Sequence, residues 1–135
     1  MTYQISLTTT RRNEFCDITN EIYRFIEQSG VSEGICTVFV PHTTAAVTIN
    51  ENADPDVTSD LLRKLASLIP QNDGYLHSEG NSDAHLKASL IGNSEQILIR
   101  RGKPLLGTWQ GVYFTEFDGP RSRKVWISIL GGETN

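Results

Sequence analysis

Residues 94–132 read SEQILIRRGKPLLGTWQGVYFTEFDGPRSRKVWISILGG, and this stretch decides the fold class. It is rich in β-branched and aromatic residues, and turn formers interrupt it at Gly102 and at Gly119-Pro120. The pattern predicts strands over 95–100, 104–110, 111–118 and 123–132, joined by short connections. Consecutive strands with short connections are typical of an antiparallel sheet.

Three more strands are predicted nearer the N-terminus. Residues 3–9 (YQISLTT) alternate apolar and polar side chains, as expected of a half-buried strand. Residues 34–40 (GICTVFV) are β-rich and end at a proline, and residues 45–50 (AAVTIN) follow after the turn PHTT. The sequence therefore predicts that 45–50 is the partner strand of 34–40.

Helical spacing of apolar residues predicts two main helices and one short helix. The first covers 13–29 and stops at Gly30; the second begins at Asp54-Pro55, where the aspartate caps the free amides and the proline suits the first position. The short helix covers 82–92. We therefore expect a single α+β domain over residues 1–135, an antiparallel β-sandwich-like core with the helices packed on one side.

Composition excludes several functional classes. The formal net charge of −4 over 135 residues argues against a general nucleic-acid binder. No apolar run approaches the ~20 residues needed to cross a bilayer, and the N-terminus has no apolar signal segment. The chain is thus expected to be cytoplasmic, with neither nucleic acid nor membrane as partner.

All three histidines lie in polar or turn segments: His42 in PHTTAA, His77 in YLHSEGN and His85 in SDAHLKA. Imidazole binds transition metals and moves protons near neutral pH, so one shared site is a natural hypothesis. Three imidazoles favour Zn²⁺ or a similar ion. The alternative is three separate surface histidines.

The segment GTWQGVYFTEFDGPRSRK holds further candidates. Strand alternation places Glu116 on a face with apolar residues, and a buried carboxylate needs a partner such as Arg121 or Arg123. The same two arginines can instead clamp a phosphate. Trp109 can stack on a heteroaromatic ring, although a tryptophan here also suits a core or subunit contact.

Four blocks of the chain together resemble the YjbQ-like family: SEQILIRRGKPLLGTWQGV, PHTTAAVTINENADPDV, HSEGNSDAHLKASLIG and EFDGPR. The resemblance runs from about residue 7 to residue 131 and includes all three histidines. It implies a small trimeric α+β protein of the kind called secondary thiamine-phosphate synthase. That activity couples hydroxymethylpyrimidine diphosphate to a thiazole phosphate, as a weak or secondary reaction.

From the resemblance and the residues we assign roles to particular side chains. The predicted catalytic residues are His42, His77, His85 and Glu116, and the same three histidines are the predicted ligands of a divalent metal, Zn²⁺ or Mg²⁺. The predicted substrate-binding residues are Thr43, Asn81, Trp109, Arg121 and Arg123. The partners expected are a small phosphorylated molecule and further copies of the chain in a homotrimer. The alternative is a non-catalytic trimer that binds a metal or a metabolite.

Overall fold

The computed structural model describes residues 1–134 of the chain, and side chains through residue 132. The elements in chain order are β1 Thr2–Thr8, β2 Glu14–Asp17, α1 Thr19–Ser29, β3 Val31–Phe39, β4 Ala45–Glu51, α2 Pro55–Leu68, α3 Ser82–Ile91, β5 Ser94–Arg100, β6 Lys103–Pro104, β7 Gln110–Glu116 and β8 Ser122–Thr134.

The strands form two antiparallel sheets, so the expected α+β fold class is confirmed. The larger sheet has the strand order β1-β8-β3-β5-β6, and the smaller has the order β2-β7-β4. Strands β7 and β8 correspond to the two longest strands predicted within residues 94–132. Each lies inside its sheet, with a partner strand on both sides. The turn between them therefore connects the two sheets.

A hydrophobic cluster joins the two sheets and α1. Alternate residues of β4 point to opposite faces: Ala45 and Val47 belong to this shared cluster, whereas Ala46 packs with Ala84 and Ala88 of α3 in a second cluster. The expectation that all helices pack on one side is therefore wrong, because α3 covers the face of the small sheet that α1 does not.

The predicted helix over 13–29 is wrong in its first part. Residues Glu14–Asp17 form β2 and pair with β7, and α1 begins only at Thr19. The Asp17 carboxylate accepts the Thr19 N–H at 2.9 Å and so satisfies a free amide in the first turn of α1. The spacing of apolar residues did not reveal this start. Pairing with β7 overrides the helical spacing of Phe15 and Ile18.

The predicted pairing of the strands at 34–40 and 45–50 is also wrong. Both flanks of β3 are occupied, by β5 and by β8, and the turn after β3 takes the chain to the other sheet. The predicted strand over 104–110 shrinks to Lys103–Pro104, because Gly107 and Gln110 close a turn in which the Gln110 side chain accepts the Gly107 N–H at 2.8 Å.

The starts and stops of the later helices match the sequence. Asp54 caps α2 by accepting the Asp56 N–H at 2.9 Å, with Pro55 in the first turn, and α3 ends at Gly92. Among residues 1–134, none of the helices is long and apolar enough to span a membrane.

Candidate functional site

A polar cleft of about 460 Å³ lies where three connections of the chain meet. These are the β3–β4 turn, the loop that leads into α3, and the β7–β8 turn. The cleft is lined by Pro41, His42, Thr43, Thr44, His77, Glu79, Asn81, His85, Asp118, Arg121 and Arg123. We call this set the polar cleft.

The polar cleft collects most of the predicted site residues from three distant segments. All three histidines line it, together with Thr43, Asn81, Arg121 and Arg123. Glu116 and Trp109 are not among its lining residues. Because His42 lies in the β3–β4 turn, His77 in the loop before α3 and His85 in α3 itself, only the tertiary structure establishes that they are neighbours.

His42 is held in one tautomer by the backbone of β8. Its Nε2 accepts the Lys124 N–H at 3.0 Å, so a neutral ring carries its proton on Nδ1. Burial, together with the positive charge of Arg123, lowers the pKa of His42 from its usual value. The neutral imidazole is therefore favoured, and its Nδ1–H remains available as a donor.

His77 and His85 meet edge to face, with their ring centroids 5.5 Å apart. His77 is 43 % exposed, and its Nε2 lies 3.7 Å from Oε1 of Glu79. His85 is in the first turn of α3, where its backbone N–H bonds to the Asn81 carbonyl. Within the described part of the chain the His85 ring makes no hydrogen bond, so its nitrogens are free for a ligand.

Glu116 lies beneath the cleft in a fully buried ion pair with Arg123. Its Oε1 accepts from Arg123 Nε at 2.8 Å and from Thr9 Oγ1 at 2.8 Å, and Arg123 Nη2 contacts Oε2. The same Nη2 donates to Thr44 Oγ1 at 2.9 Å. Arg123 is thus the partner that the buried carboxylate requires, and its hydrogen bonds hold it in the floor of the cleft.

Asp118 and Arg121 form a second ion pair, at the mouth of the cleft. Arg121 donates Nη2 to Asp118 Oδ2 and Nε to the Asp118 carbonyl, both at 2.8 Å, yet its side chain is 53 % exposed. Burial raises the pKa of Asp118, but hydrogen bonds from Asn81 and Arg121 and the positive charge of Arg12 outweigh it, so the pKa is lowered overall. Arg121 is therefore oriented and still reachable by an anion.

Asn81 adds an unpaired hydrogen-bond acceptor beside Asp118. Its Nδ2 donates to Asp118 Oδ2 at 2.9 Å, which fixes the orientation of the amide. Its Oδ1 is buried and has no hydrogen-bond partner among the described residues. A buried acceptor without a partner is uncommon, so a bound group with a donor would stabilise it.

Sequence reasoning missed a network centred on Arg12, which follows β1. Arg12 donates to Asp83 Oδ1 at 3.0 Å and to Asp118 Oδ1 at 3.3 Å, and Lys87 donates to Asp83 Oδ2 at 3.0 Å. Asp83 and Lys87 are almost completely buried. Their i, i+4 spacing on α3 was a readable signal, whereas nothing local tied Arg12 to them.

The side chains as they stand do not fit the predicted three-histidine metal site. Among the described residues, no three His, Cys, Asp or Glu side chains are grouped so that they could hold one ion. Nε2 of His42 already accepts a backbone N–H, and the rings of His77 and His85 face each other edge to face. In this arrangement the three imidazoles are placed to make hydrogen bonds, and a shared metal site would need the rings to turn.

Trp109 lies away from the polar cleft, in the turn between β6 and β7. Its carbonyl accepts the Asn52 N–H at 3.0 Å, and its side chain is 62 % exposed. The structure does not bring it to the histidines, so any ring stacking in the cleft must come from other side chains.

Comparison with known proteins supports a single family. Residues 3–132 match the family model described as UPF0047 protein YjbQ-like. The chain is 53 % identical over 131 residues to UPF0047 protein MJ1081 of Methanocaldococcus jannaschii, covering 97 % of this chain and 95 % of that one. It is 45 % identical over 128 residues to UPF0047 protein YugU of Bacillus subtilis, covering 94 % and 97 % of the two chains.

Solved structures share the fold closely. An uncharacterised YjbQ/UPF0047 protein of Clostridium acetobutylicum superposes with a TM-score of 0.94 at 57 % identity, over 95 % of this chain and 99 % of that one. A protein of unknown function from Sulfolobus solfataricus gives the same TM-score at 35 % identity, over 98 % and 97 % of the two chains. The similarity extends over the cleft, since all its lining residues lie within 3–132.

Proposed function

The chain belongs to the UPF0047 YjbQ-like family, and on that premise we propose that its polar cleft binds a small phosphorylated molecule and supports a weak thiamine-phosphate synthase-like coupling. The observation that carries the proposal is the convergence of three imidazoles, Asn81 and an accessible arginine in one cleft. The reaction itself rests on the resemblance; the anion-binding chemistry rests on the side chains.

The donors of the cleft favour an anionic ligand. Arg121 presents a guanidinium that is held by Asp118 and still half exposed, and guanidinium matches the geometry of phosphate oxygens. His42 adds an Nδ1–H in the tautomer that its Lys124 contact selects. Both groups keep their orientation without the ligand, which lowers the cost of binding.

In the proposed coupling one bond breaks and one forms. The bond from the pyrimidinylmethyl carbon to the diphosphate oxygen breaks, and its electron pair leaves with pyrophosphate. The thiazole nitrogen supplies the electron pair of the new carbon–nitrogen bond, which makes the ring a thiazolium. Arg121 and the His42 N–H would stabilise the charge that develops on pyrophosphate, and His85 would complete that set of donors.

In this proposal Glu116 positions the side chain of Arg123. Because it is fully buried and bonded to Arg123, it contacts no ligand directly and instead fixes the charge in the floor of the cleft. Because Glu116 neutralises its charge, Arg123 would act mainly by holding Thr44 in the floor of the cleft, and Thr43 and Asn81 would contribute polar contacts.

We propose that the chain assembles as a homotrimer, as the resemblance implies. One face of the large sheet supports this, since cross-strand partners there expose apolar side chains: Ile35, Phe39, Leu98, Trp126 and Leu130. An apolar face of this kind is typical of a surface that another protein covers. Light scattering coupled to size-exclusion chromatography measures the mass of the assembly.

The test is product formation by purified, untagged protein supplied with hydroxymethylpyrimidine diphosphate and thiazole phosphate. Thiamine phosphate is quantified after oxidation to its fluorescent thiochrome form. We expect His85→Ala to lower the rate by about 10²-fold or more, and Arg121→Ala to raise the Michaelis constants of the phosphorylated substrates by about tenfold. Full retention of the rate in His85→Ala would mean that a contaminant makes the product, and would refute the proposal.

Two control variants match these changes outside the cleft. Leu90→Ala alters an exposed residue of the same helix as His85, and Arg63→Ala removes an exposed arginine from α2. Both should keep wild-type kinetics. Phosphate binding without any turnover would instead favour the alternative, a non-catalytic binding protein, and metal content of the same samples would show whether the ligand includes a metal ion.

A further inference from the structure

An apolar depression of about 450 Å³ adjoins the polar cleft, at the side where the loop before α3 meets that helix. It is lined by Tyr75, Leu76, His77, Ser82, His85 and Leu86. We call it the apolar depression. Its volume lies in the range of small-molecule sites, which run from about 300 to 1,000 Å³.

The two concavities share a boundary. His77 and His85 line both concavities, so their edge-to-face rings lie between the polar cleft and the apolar depression. A molecule of modest size that contacts this histidine pair therefore touches polar groups on one side and apolar groups on the other.

The apolar walls are exposed and partly fixed in place. Leu76 is fully exposed and Leu86 is 45 % exposed, although both are large apolar residues. The Tyr75 ring is half-buried, and its hydroxyl donates to the Pro70 carbonyl at 2.6 Å, which anchors the ring beside the two leucines. Exposed apolar surface next to a polar cleft is typical of a ligand site.

We propose that the apolar depression is the subsite for the ring of the phosphorylated ligand, which lies against Tyr75, Leu76 and Leu86 while its phosphate is bound at Arg121. This inference rests on the proposed function, because it places the ring of the same ligand. It also gives the ring a place that Trp109 cannot provide, since Trp109 lies outside the cleft.

Three probes separate the two halves of the site: inorganic phosphate, methyl phosphate and benzyl phosphate. Their affinities for the intact protein are measured by isothermal titration calorimetry. We expect benzyl phosphate to bind about tenfold more tightly than methyl phosphate, because only its ring buries apolar surface in the depression. Leu86→Gln should remove most of that advantage and leave the affinity for methyl phosphate unchanged.

Leu90→Gln is the matched control. It makes the same replacement on the same helix, at a position that is 71 % exposed and outside both concavities. The ring preference should survive in this variant. Loss of the preference in both variants would overturn the assignment of the ring to the depression, because it would show a general effect on α3.

The other outcomes distinguish this inference from the proposed function. Equal affinity for methyl and benzyl phosphate would overturn the ring site while the anion site stands. No binding of any phosphate would refute both proposals. A fall in assembly mass for Leu86→Gln, with no change in ring preference, would mean that a second copy of the chain covers the depression, and would also overturn the inference.

Discussion

Two carboxylate–arginine pairs lie at the β7–β8 turn, one in the flanking strands and one on the turn itself, and they differ in burial more than in chemistry. In the inner pair, Glu116 and Arg123 are 0 % and 5 % exposed; in the outer pair, Asp118 and Arg121 are 9 % and 53 % exposed. In the inner pair the Arg123 guanidinium is hydrogen-bonded to Glu116 and Thr44, whereas the Arg121 side chain of the outer pair still faces solvent. Burial therefore separates a structural ion pair from one that can bind a ligand.

This difference follows from where the two sheets meet. Glu116 is the last residue of β7 in the small sheet, and Arg123 is the second residue of β8 in the large sheet, so their contact links the two sheets. Asp118 and Arg121 lie on the turn between these strands, where Asp118 is buried and the Arg121 side chain reaches solvent. The connection between the two sheets thus contributes to stability where it joins the strands and to the candidate site in its middle.

The largest expected effect is on stability, from breaking the inner pair. Arg123→Ala leaves the Glu116 charge buried without its partner, and we expect the free energy of unfolding to fall by about 3–5 kcal/mol. Arg121→Ala should cost less than about 1 kcal/mol, because the Arg121 side chain is 53 % exposed and Asp118 keeps its hydrogen bonds from Arg12 and Asn81. Urea denaturation measures both. Similar losses in the two variants would contradict the distinction between the pairs.

A smaller effect should come from Arg12, which supports the outer pair through Asp118 and holds α3 through Asp83. We expect Arg12→Ala to lower the free energy of unfolding by about 1–2 kcal/mol, because two charged hydrogen bonds are lost while Lys87 still pairs with Asp83. Arg11→Ala is the control, since Arg11 is exposed and its side chain makes no ion pair among the described residues. Equal stability of the two variants would show that the Arg12 network contributes nothing.

The smallest effect concerns pH and His42, which lies beside the inner pair. Burial and the charge of Arg123 lower its pKa, so the unfolded chain binds more protons as the pH falls below about 6.5. The free energy of unfolding should therefore rise with pH across the window between the folded pKa and that value. Proton NMR titration of the His42 ring, folded and in urea, measures the shift.

Two variants sharpen the His42 prediction. In Arg121→Ala the pKa of His42 should stay lowered, because burial and Arg123 are its main causes. In His42→Gln the part of the pH dependence that comes from this ring should disappear. A folded pKa at or above the unfolded value would contradict the assignment of a neutral ring that accepts the Lys124 N–H.

Local chemistry sufficed for several features of this protein. Strands β5, β7 and β8, the Asp54-Pro55 start of α2 and the Gly92 end of α3 were readable because propensity and capping act over a few residues. The need of Glu116 for an arginine was also readable, since strand alternation already placed it on an apolar face. The choice between Arg121 and Arg123 was not.

The tertiary structure alone decided which distant residues meet. Two of the histidines lie in separate connections and the third lies in α3, and only the packing of α3 against the small sheet and the crossing from β3 to β4 brought them to one cleft. Strand β2 and the contacts of Arg12 likewise depend on partners about a hundred residues away. The sequence by itself determined the elements and the kinds of chemistry they carry, because those depend on local interactions. Burial and long-range contacts then determined which of these groups support the fold and which remain open to a ligand.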